Sequence, residues 1–323
     1  MKNFKDKLAV VTGGGTGMGR ELARVLSAEG CHVAMCDVSD ENMRETRQLC
    51  EQTAPPGVRI TTHRADVSDE PQVVEFCHAV QRAHATDHIN LLFNNAGIGG
   101  GGSFLVDDRA EWERTFGVCW FGVYYCSRAF MPLLVASSEG YLVNTSSVNG
   151  FWATLGPNIA HTAYSAAKFA VKGFSEALVT DLRLNAPHVK VAVVMPGHIG
   201  TSIAINTGKV LGRPAPKDMS ASDVAVIRKR MVDRGMPVGN ESDDHIRAAL
   251  QQQALDFRDK APVSARQAAD IILDGVRDDR WRILVGDDAH ALDRMVREAP
   301  ERAYELDFLT ALIGQGHLNS VNR

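Results

Sequence analysis

The sequence predicts an α/β protein, a doubly wound parallel sheet of about seven strands with helices on both faces. Two observations predict it. Short apolar, β-rich runs alternate along the chain with longer stretches of helical spacing, and a glycine cluster sits at the first strand-to-helix junction, where a tight βα turn is needed. The first unit reads as a strand from Leu8 to Thr12, a helix from Met18 to Glu29 and a strand from His32 to Asp37. Strand-like runs recur at Val58 to Ala65, Ile89 to Asn94, Tyr141 to Ser146 and Val189 to Met195, and Trp281 to Val285 follows the helical stretch Ala265 to Val276 as a seventh. Helical crossovers between such runs join parallel strands and cover both faces of the sheet.

Two segments depart from the rhythm, Ser202 to Pro262 and the tail after Gly286. Both are polar and charge-rich. The first is broken by Gly208, Gly212, Pro214, Pro216, Gly235, Pro237 and Gly239, yet Ala221 to Met231 and Asp244 to Phe257 have helical spacing. The reading is a single domain over residues 1–286, with 202–262 inserted as a helical cap on the sheet, and a C-terminal extension over 287–323. No internal repeat or flexible linker argues for a second domain.

Composition excludes other classes. The 323 residues are 45% hydrophobic and 23% charged, as in an ordinary globular protein, and the net charge of -4 offers nothing to a polyanion. Six cysteines without a CxxC pair suggest neither a zinc site nor a disulfide framework. Met1 to Lys7 runs straight into a strand with no apolar leader, and no uninterrupted apolar run reaches the ~18 residues of a spanning helix. The expectation is a cytoplasmic protein with no metal, no nucleic-acid partner and no membrane partner.

The glycine cluster reads Thr12-Gly13-Gly14-Gly15-Thr16-Gly17-Met18-Gly19. A dinucleotide pyrophosphate needs close backbone approach and a helix N-terminus, and Gly13, Gly15, Thr16, Gly17, Met18 and Gly19 stand where both are supplied. Asp37 closes the second strand, where a carboxylate accepts hydrogen bonds from ribose hydroxyls and repels a 2′-phosphate. With no Arg or Lys in the turn or directly after Asp37, NAD is favoured over NADP.

Tyr164 and Lys168 lie four apart at the start of a helical stretch and so share a face. A phenol titrates near ~10; a nearby ammonium and the positive charge of an oxidised nicotinamide favour the phenolate and bring Tyr164 into range as an acid/base. Asn144-Thr145-Ser146-Ser147 ends a strand upstream, at the carboxyl edge where open α/β sheets place their sites, and offers a hydroxyl for the substrate oxygen. No Gly-x-Ser-x-Gly elbow points to a serine hydrolase.

Here the sequence resembles the short-chain dehydrogenase/reductase family, whose fold is of the Rossmann type, over about Leu8 to Thr201 and less specifically to Gly286. The resemblance rests on the glycine turn, Asp66-Val67, Asn94-Asn95-Ala96-Gly97, the serine pair, Tyr164-Ser165-Ala166-Ala167-Lys168, and Pro196-Gly197 followed by Thr201. It implies an oxidoreductase interconverting a secondary alcohol and a ketone with a nicotinamide cofactor. It also implies that Asp66 and Val67 contact adenine, that Asn94, Ala96 and Gly97 line the cofactor, and that Pro196, Gly197, Ile199 and Thr201 hold its nicotinamide end. Tyr164 and Lys168 would touch both the reaction and the nicotinamide ribose. Ser147 resembles the family's catalytic serine, with a few more residues than usual between it and Tyr164; Ser146 is the alternative.

The departures are local. Cys119 stands where the family usually has an asparagine that helps hold a proton-relay water, so it either keeps that water through its main chain or is simply a small buried residue. The extra residues within Phe151 to Ala163 bring Phe151, Trp152, Leu155 and His161 toward the expected substrate side, His161 either touching substrate or lying as a solvated loop histidine. The Ser202 to Pro262 insertion falls where the family carries its substrate lid, and its length suggests a bulky or apolar alcohol, with Ile203 and Ile205 as contacts. Trp281 to Ala289 resembles the ending of bacterial members acting on steroid- or terpenoid-like alcohols, and the tail beyond reads as packing or subunit contact. Family members pair through two long helices, here Arg109 to Val135 and Thr162 to Asn185, which implies a homodimer or homotetramer. The alternative function is a catalytically silent nucleotide binder acting as a sensor or scaffold.

Overall fold

The computed structural model describes residues 1–156, 159–233 and 236–314. In chain order the elements are β1 (Leu8–Thr12), α1 (Gly17–Ala28), β2 (His32–Asp37), α2 (Asp40–Glu51), β3 (Ile60–Arg64), α3 (Glu70–His84), β4 (Leu91–Asn94), α4 (Arg109–Phe116), α5 (Gly122–Val135), β5 (Gly140–Thr145), α6 (Thr162–Asn185) and β6 (Val189–Pro196). There follow β7 (Ile199–Gly200), α7 (Ile203–Val210), α8 (Ala221–Asp233), α9 (Asp243–Asp259), β8 (Val263–Ser264), α10 (Ala265–Arg277), β9 (Arg282–Val285), α11 (Asp287–Glu298) and α12 (Leu306–Gly314). Seven strands form one sheet in the order β3-β2-β1-β4-β5-β6-β9, every pair parallel. The order reverses between β1 and β4, the point at which open α/β sheets place a crevice at the carboxyl ends of their strands.

The period of two along each strand divides the core. In β1, Ala9 and Val11 face one side with Leu22, Leu26, Ile272 and Leu273 from α1 and α10, whereas Leu8 and Val10 face the other with Phe76, Phe130, Leu134 and Leu182 from α3, α5 and α6. Both faces are therefore apolar, and the strands read as nearly continuous hydrophobic runs.

The seven strands fall where the sequence predicts them, with shifts at the ends. β3 begins at Ile60 rather than Val58, because the Pro55-Pro56-Gly57 turn, with Gly57 at φ 90°, delays the chain's entry to the sheet. The single long helix expected over Arg109 to Val135 is α4 and α5 joined by a π-helical turn, Gly117–Phe121; such a turn swells the helix locally. Among the described residues it is the one helix long and apolar enough to cross a bilayer, but half of its apolar stretch is buried within the fold, as in a core helix.

The departing segments are more regular than the sequence suggests. β7 and β8 pair Ile199 with Val263 and Gly200 with Ser264, closing the intervening residues into one excursion. Within it α7 forms despite Gly208. The tail carries α11 and α12, whose apolar faces bury Leu292, Phe308 and Leu312 around Trp152. Their short, interrupted apolar patterns need that partner to become visible.

Phe130 is fully buried on α5 and meets Phe76 edge-to-face at 5.3 Å. Phe130→Ala is expected to lower the unfolding free energy by about 3–5 kcal/mol in a denaturant titration, from lost transfer energy and the cavity left behind.

Candidate active site

The turn after β1 is shaped by close contacts. Gly13 takes φ 65°, and a Cβ there would stand 2.8 Å from the Cα of Ala96, so only glycine fits. Thr16 at the N-cap of α1 makes no side-chain cap bond, which leaves the first-turn N–H groups of α1 facing the crevice. Asp37 at the end of β2 accepts from Gly15 N at 3.0 Å and from Ser39 N at 3.1 Å. Burial pushes the Asp37 carboxyl up, with those N–H groups pulling it back down. Arg20 lies across the turn, donating to the Gly15 carbonyl at 2.7 Å while paired with Glu45.

Asn94 and Asn95, side by side after β4, divide the work. Asn94 Nδ2 donates to Ser127 Oγ at 2.9 Å and Asn144 Oδ1 at 2.8 Å, committing this side chain to the core between β4, β5 and α5. Asn95 Nδ2 reaches the Thr12 carbonyl at 3.1 Å, and Thr12 Oγ1 accepts from the N–H groups of Asn95 and Ala96, both at 3.0 Å. Asn95, absent from the sequence-based set of site residues, thus ties the loop after β4 to the glycine turn; its place inside the Asn94-Asn95-Ala96-Gly97 motif was the available signal. Asp66 is ion-paired with Arg114 of α4, and Val67 packs under Gly122 of α5. Burial pushes the Asp66 carboxyl up, but Arg114 and Ser68 outweigh it and hold it below the usual range.

On the other side of the crevice, α6 presents Tyr164 and Lys168 to the end of β5. Lys168 Nζ donates to the Thr145 carbonyl at 2.8 Å and lies 5.4 Å from the Tyr164 ring centroid. The two serines separate. Both are buried, but Ser146 Oγ donates to the Lys168 carbonyl at 2.7 Å, whereas the Ser147 side chain lies beside the Tyr164 phenol and favours its ionised form. Burial raises the Tyr164 pKa well above the ordinary phenol value, and the neighbouring Cys119 adds to it while Ser147 opposes. Burial lowers the Lys168 pKa. Cys119 sits in the π-helical turn with Sγ donating to the Ile98 carbonyl at 3.2 Å, and a Cβ on Gly97 would lie 3.7 Å from Lys168 Nζ and 3.8 Å from Cys119 Sγ.

His161 corrects the expectation of a solvated loop histidine. It is buried, its ring stacks on Tyr164 at 4.6 Å and 18°, and Nδ1 has no partner among the described residues. Burial lowers its pKa to about 4, against a hydrogen bond to the Gly99 backbone, so the ring is neutral near pH 7. Phe151 and Trp152 also differ from expectation: both belong to the apolar cluster with the tail rather than to the substrate side.

The nicotinamide-side residues follow β6. Pro196 is the last residue of β6, Ile199 is buried, and Thr201 packs against Gly17, where an added Cβ would lie 3.1 Å from it. From α7, Asn206 Nδ2 donates to Thr16 Oγ1 at 3.0 Å, and Thr207 Oγ1 accepts from Gly99 N at 2.8 Å. The inserted segment thereby spans the crevice from the glycine turn to the loop after β4, with Ile203 and Ile205 half-buried on α7.

A glycine turn against a helix N-terminus, a carboxylate at the second strand and a Ser-Tyr-Lys group across the crevice define a dinucleotide-dependent oxidoreductase architecture. Residues 7–210 match the short chain dehydrogenase family, and the chain belongs to this family of oxidoreductases. SadH of Mycobacterium tuberculosis is 32% identical over 299 residues, 92% of each chain. The meso-2,3-butanediol dehydrogenase of Serratia marcescens is 33% identical over 229 residues, 68% of this chain and 86% of its own. A short-chain dehydrogenase/reductase from Burkholderia phymatum, solved in complex with NAD, superposes with a TM-score of 0.72 at 28% identity, covering 93% of this chain and 96% of that one. A metagenomic short-chain oxidoreductase in complex with NADP gives a TM-score of 0.52 at 30% identity, over 60% and 83%.

The buried neutral histidine has a consequence for stability. Its pKa falls from 6.5 to about 4 on folding, so the unfolded chain binds the extra proton between those values and stability is lost as pH drops through that window. His161→Gln is expected to flatten the dependence of the melting temperature on pH between 6.5 and 4.5, removing on the order of 2 kcal/mol of pH-dependent stability over that window; an unchanged slope would contradict the buried neutral ring.

Proposed function

We propose that the protein is an NAD-dependent dehydrogenase/ketoreductase that interconverts a secondary alcohol and a ketone, with Ser147, Tyr164 and Lys168 as its catalytic residues. The observation that carries the reading is the convergence of these three side chains at the end of β5, with Ser147 beside the phenol, Lys168 Nζ 5.4 Å from its ring and Lys168 Nζ bonded to the Thr145 carbonyl.

The cradle fits a dinucleotide. Gly13 and Gly15 have no room for a Cβ, so the turn can lie flat beneath a pyrophosphate, and the first-turn N–H groups of α1 lack a side-chain cap. In this reading Gly13, Gly15, Thr16, Gly17, Met18 and Gly19 hold the pyrophosphate, Asp37 the adenosine ribose, Asp66 and Val67 the adenine. The loop of Ala96 and Gly97, with Asn94 behind it, and the stretch from Pro196 and Gly197 through Ile199 to Thr201 line the nicotinamide half. A bound nicotinamide supplies the hydride acceptor or donor and, when oxidised, a positive charge. Asp37 supports NAD over NADP because a 2′-phosphate would meet its carboxylate, and the nearby Arg20 is already paired with Glu45.

The residues then divide the proton chemistry. Ser147 Oγ steadies the substrate oxygen. Tyr164 Oη takes the hydroxyl proton of an alcohol or returns one to a ketone. In the free protein burial keeps the phenol protonated, the form that serves ketone reduction. The Lys168 ammonium favours the phenolate needed for alcohol oxidation. His161 stacks on the Tyr164 ring and excludes water from that side. The long inserted segment over the crevice supports a bulky or apolar alcohol, and the dehydrogenase of a small diol among the relatives keeps smaller alcohols in the test. Exposed Phe121 and Tyr124 on the α4–α5 helix and Phe169 and Leu184 on α6 support a homodimer or homotetramer built on those helices. A silent nucleotide binder is the second reading, favoured by the thiol of Cys119, which bonds the Ile98 carbonyl where the family's asparagine would stand.

Two variants test this with purified protein, nicotinamide cofactors and a panel of secondary alcohols from small diols to steroids. Tyr164→Phe is expected to cut turnover about 10²–10⁴-fold while leaving NAD binding intact. Asp37→Ser is expected to lower the preference for NAD over NADP by about 10–100-fold in kcat/KM. NAD binding without turnover by the wild-type protein across the panel would favour the silent binder.

A further inference from the structure

The chain turns into α11 through Gly286, which has φ 102° and lies where a Cβ would stand 2.5 Å from Asp288 Oδ1. Asp288 then points its buried carboxylate back onto the loop after β6. Oδ2 accepts from His198 N at 2.7 Å, Oδ1 accepts from Ala289 N at 2.9 Å, and a Cβ on Gly197 would lie 2.2 Å from Oδ1. The loop between β6 and β7 has no side chain at Gly197 because this carboxylate occupies the space. At its far end the same segment grips the loop that follows the serine. Trp152 Nε1 donates to the Ala303 carbonyl at 2.7 Å, Ala153 N donates to Tyr304 Oη at 3.1 Å, and the Trp152 ring is buried beside Leu292, Phe308 and Leu312. Trp152 is tied in turn to the serine loop through Asn149, whose Nδ2 donates to the Trp152 carbonyl at 2.9 Å while its N–H donates to Ser147 Oγ at 3.1 Å.

We infer that the segment from Asp287 to Leu312 is a brace that sets the position of the nicotinamide-side loop relative to Ser147, with Asp288 and Trp152 as positioning residues. The inference rests on the dehydrogenase reading of the crevice. One carboxylate with two separate acceptor oxygens matches two backbone donors. An asparagine of the same shape has one acceptor oxygen, so either His198 N or Ala289 N would face an NH2 group and the loop would come loose while the core stays packed.

The test compares wild type, Asp288→Asn and Trp152→Phe by backbone hydrogen exchange without cofactor, by calorimetric titration with NAD and by thermal melting. In Asp288→Asn the exchange of His198 to Thr201 is expected to accelerate with the sheet strands unaffected, and the Kd for NAD to rise about tenfold. Trp152→Phe is expected to leave the Kd for NAD within about twofold and to lower kcat rather than raise the KM for the alcohol. Unchanged exchange at His198 to Thr201 in Asp288→Asn overturns the brace, as does accelerated exchange throughout the sheet with a parallel fall in melting temperature, which marks Asp288 as structural only. A wild-type protein that binds neither NAD nor NADP overturns the dehydrogenase reading instead, and the cofactor-free exchange data then still decide whether Asp288 holds the loop.

Discussion

Lys168 places an amine in the interior of the protein, and the arrangement that tolerates it positions the rest of the crevice. Nζ donates to the Thr145 carbonyl at 2.8 Å, and Ser146 Oγ returns a bond to the Lys168 carbonyl at 2.7 Å, so α6 and the end of β5 are stitched in both directions. The approach is close enough that a Cβ on Gly150 would fall 2.3 Å from Ser146 Oγ. Burying an ammonium costs several kcal/mol that a single carbonyl does not return, and an apolar side chain would pack there more cheaply. Burial lowers the Lys168 pKa, and a lysine kept in the interior at such a cost fits the proposed chemistry better than a stabilising role. Because the stitch fixes α6 along its axis, it also fixes Tyr164 one turn earlier, His161 stacked on Tyr164, and Ser147 against the phenol.

A second polar network carries that alignment across the sheet. Asn94 on β4 bonds Asn144 on β5 and Ser127 on α5, and Asn144 bonds Ser175 on α6 at 3.0 Å. Each partner is buried, so losing one would strand the others. From the next residue, Asn95 and Thr12 lock the loop after β4 onto the glycine turn. The two halves of the crevice are thus joined by hydrogen bonds with little freedom to drift, and α7 closes over them through Thr16 and Gly99.

How much of this was legible in the sequence follows from the range of the interactions. The strand and helix alternation is local periodicity, and it placed all seven strands of the main sheet and the α6 helix. The glycine turn and the Tyr164–Lys168 pair are short-range patterns with a physical reason for their spacing. What was not legible depends on partners far along the chain. Asp288 meets His198 across 90 positions, and Trp152 meets Ala303 across 151. His161 lies only three residues before Tyr164, but that spacing does not decide whether its ring stacks on the phenol or faces water, and the choice between Ser146 and Ser147 needed the surroundings of each hydroxyl. Helices α7 and α12 were missed because they are only about two turns long, and α11 because charge dominates its local pattern, while the stability of all three comes from the surfaces they cover.

The most direct test of a functional charge at Lys168 is the substitution Lys168→Met, measured for both stability and turnover. If the buried ammonium serves the reaction, the variant melts at the same or a higher temperature than the wild type, while NAD-dependent oxidation of a secondary alcohol falls by about 10²-fold or more. Retained turnover, or collapse of the fold, would contradict that account.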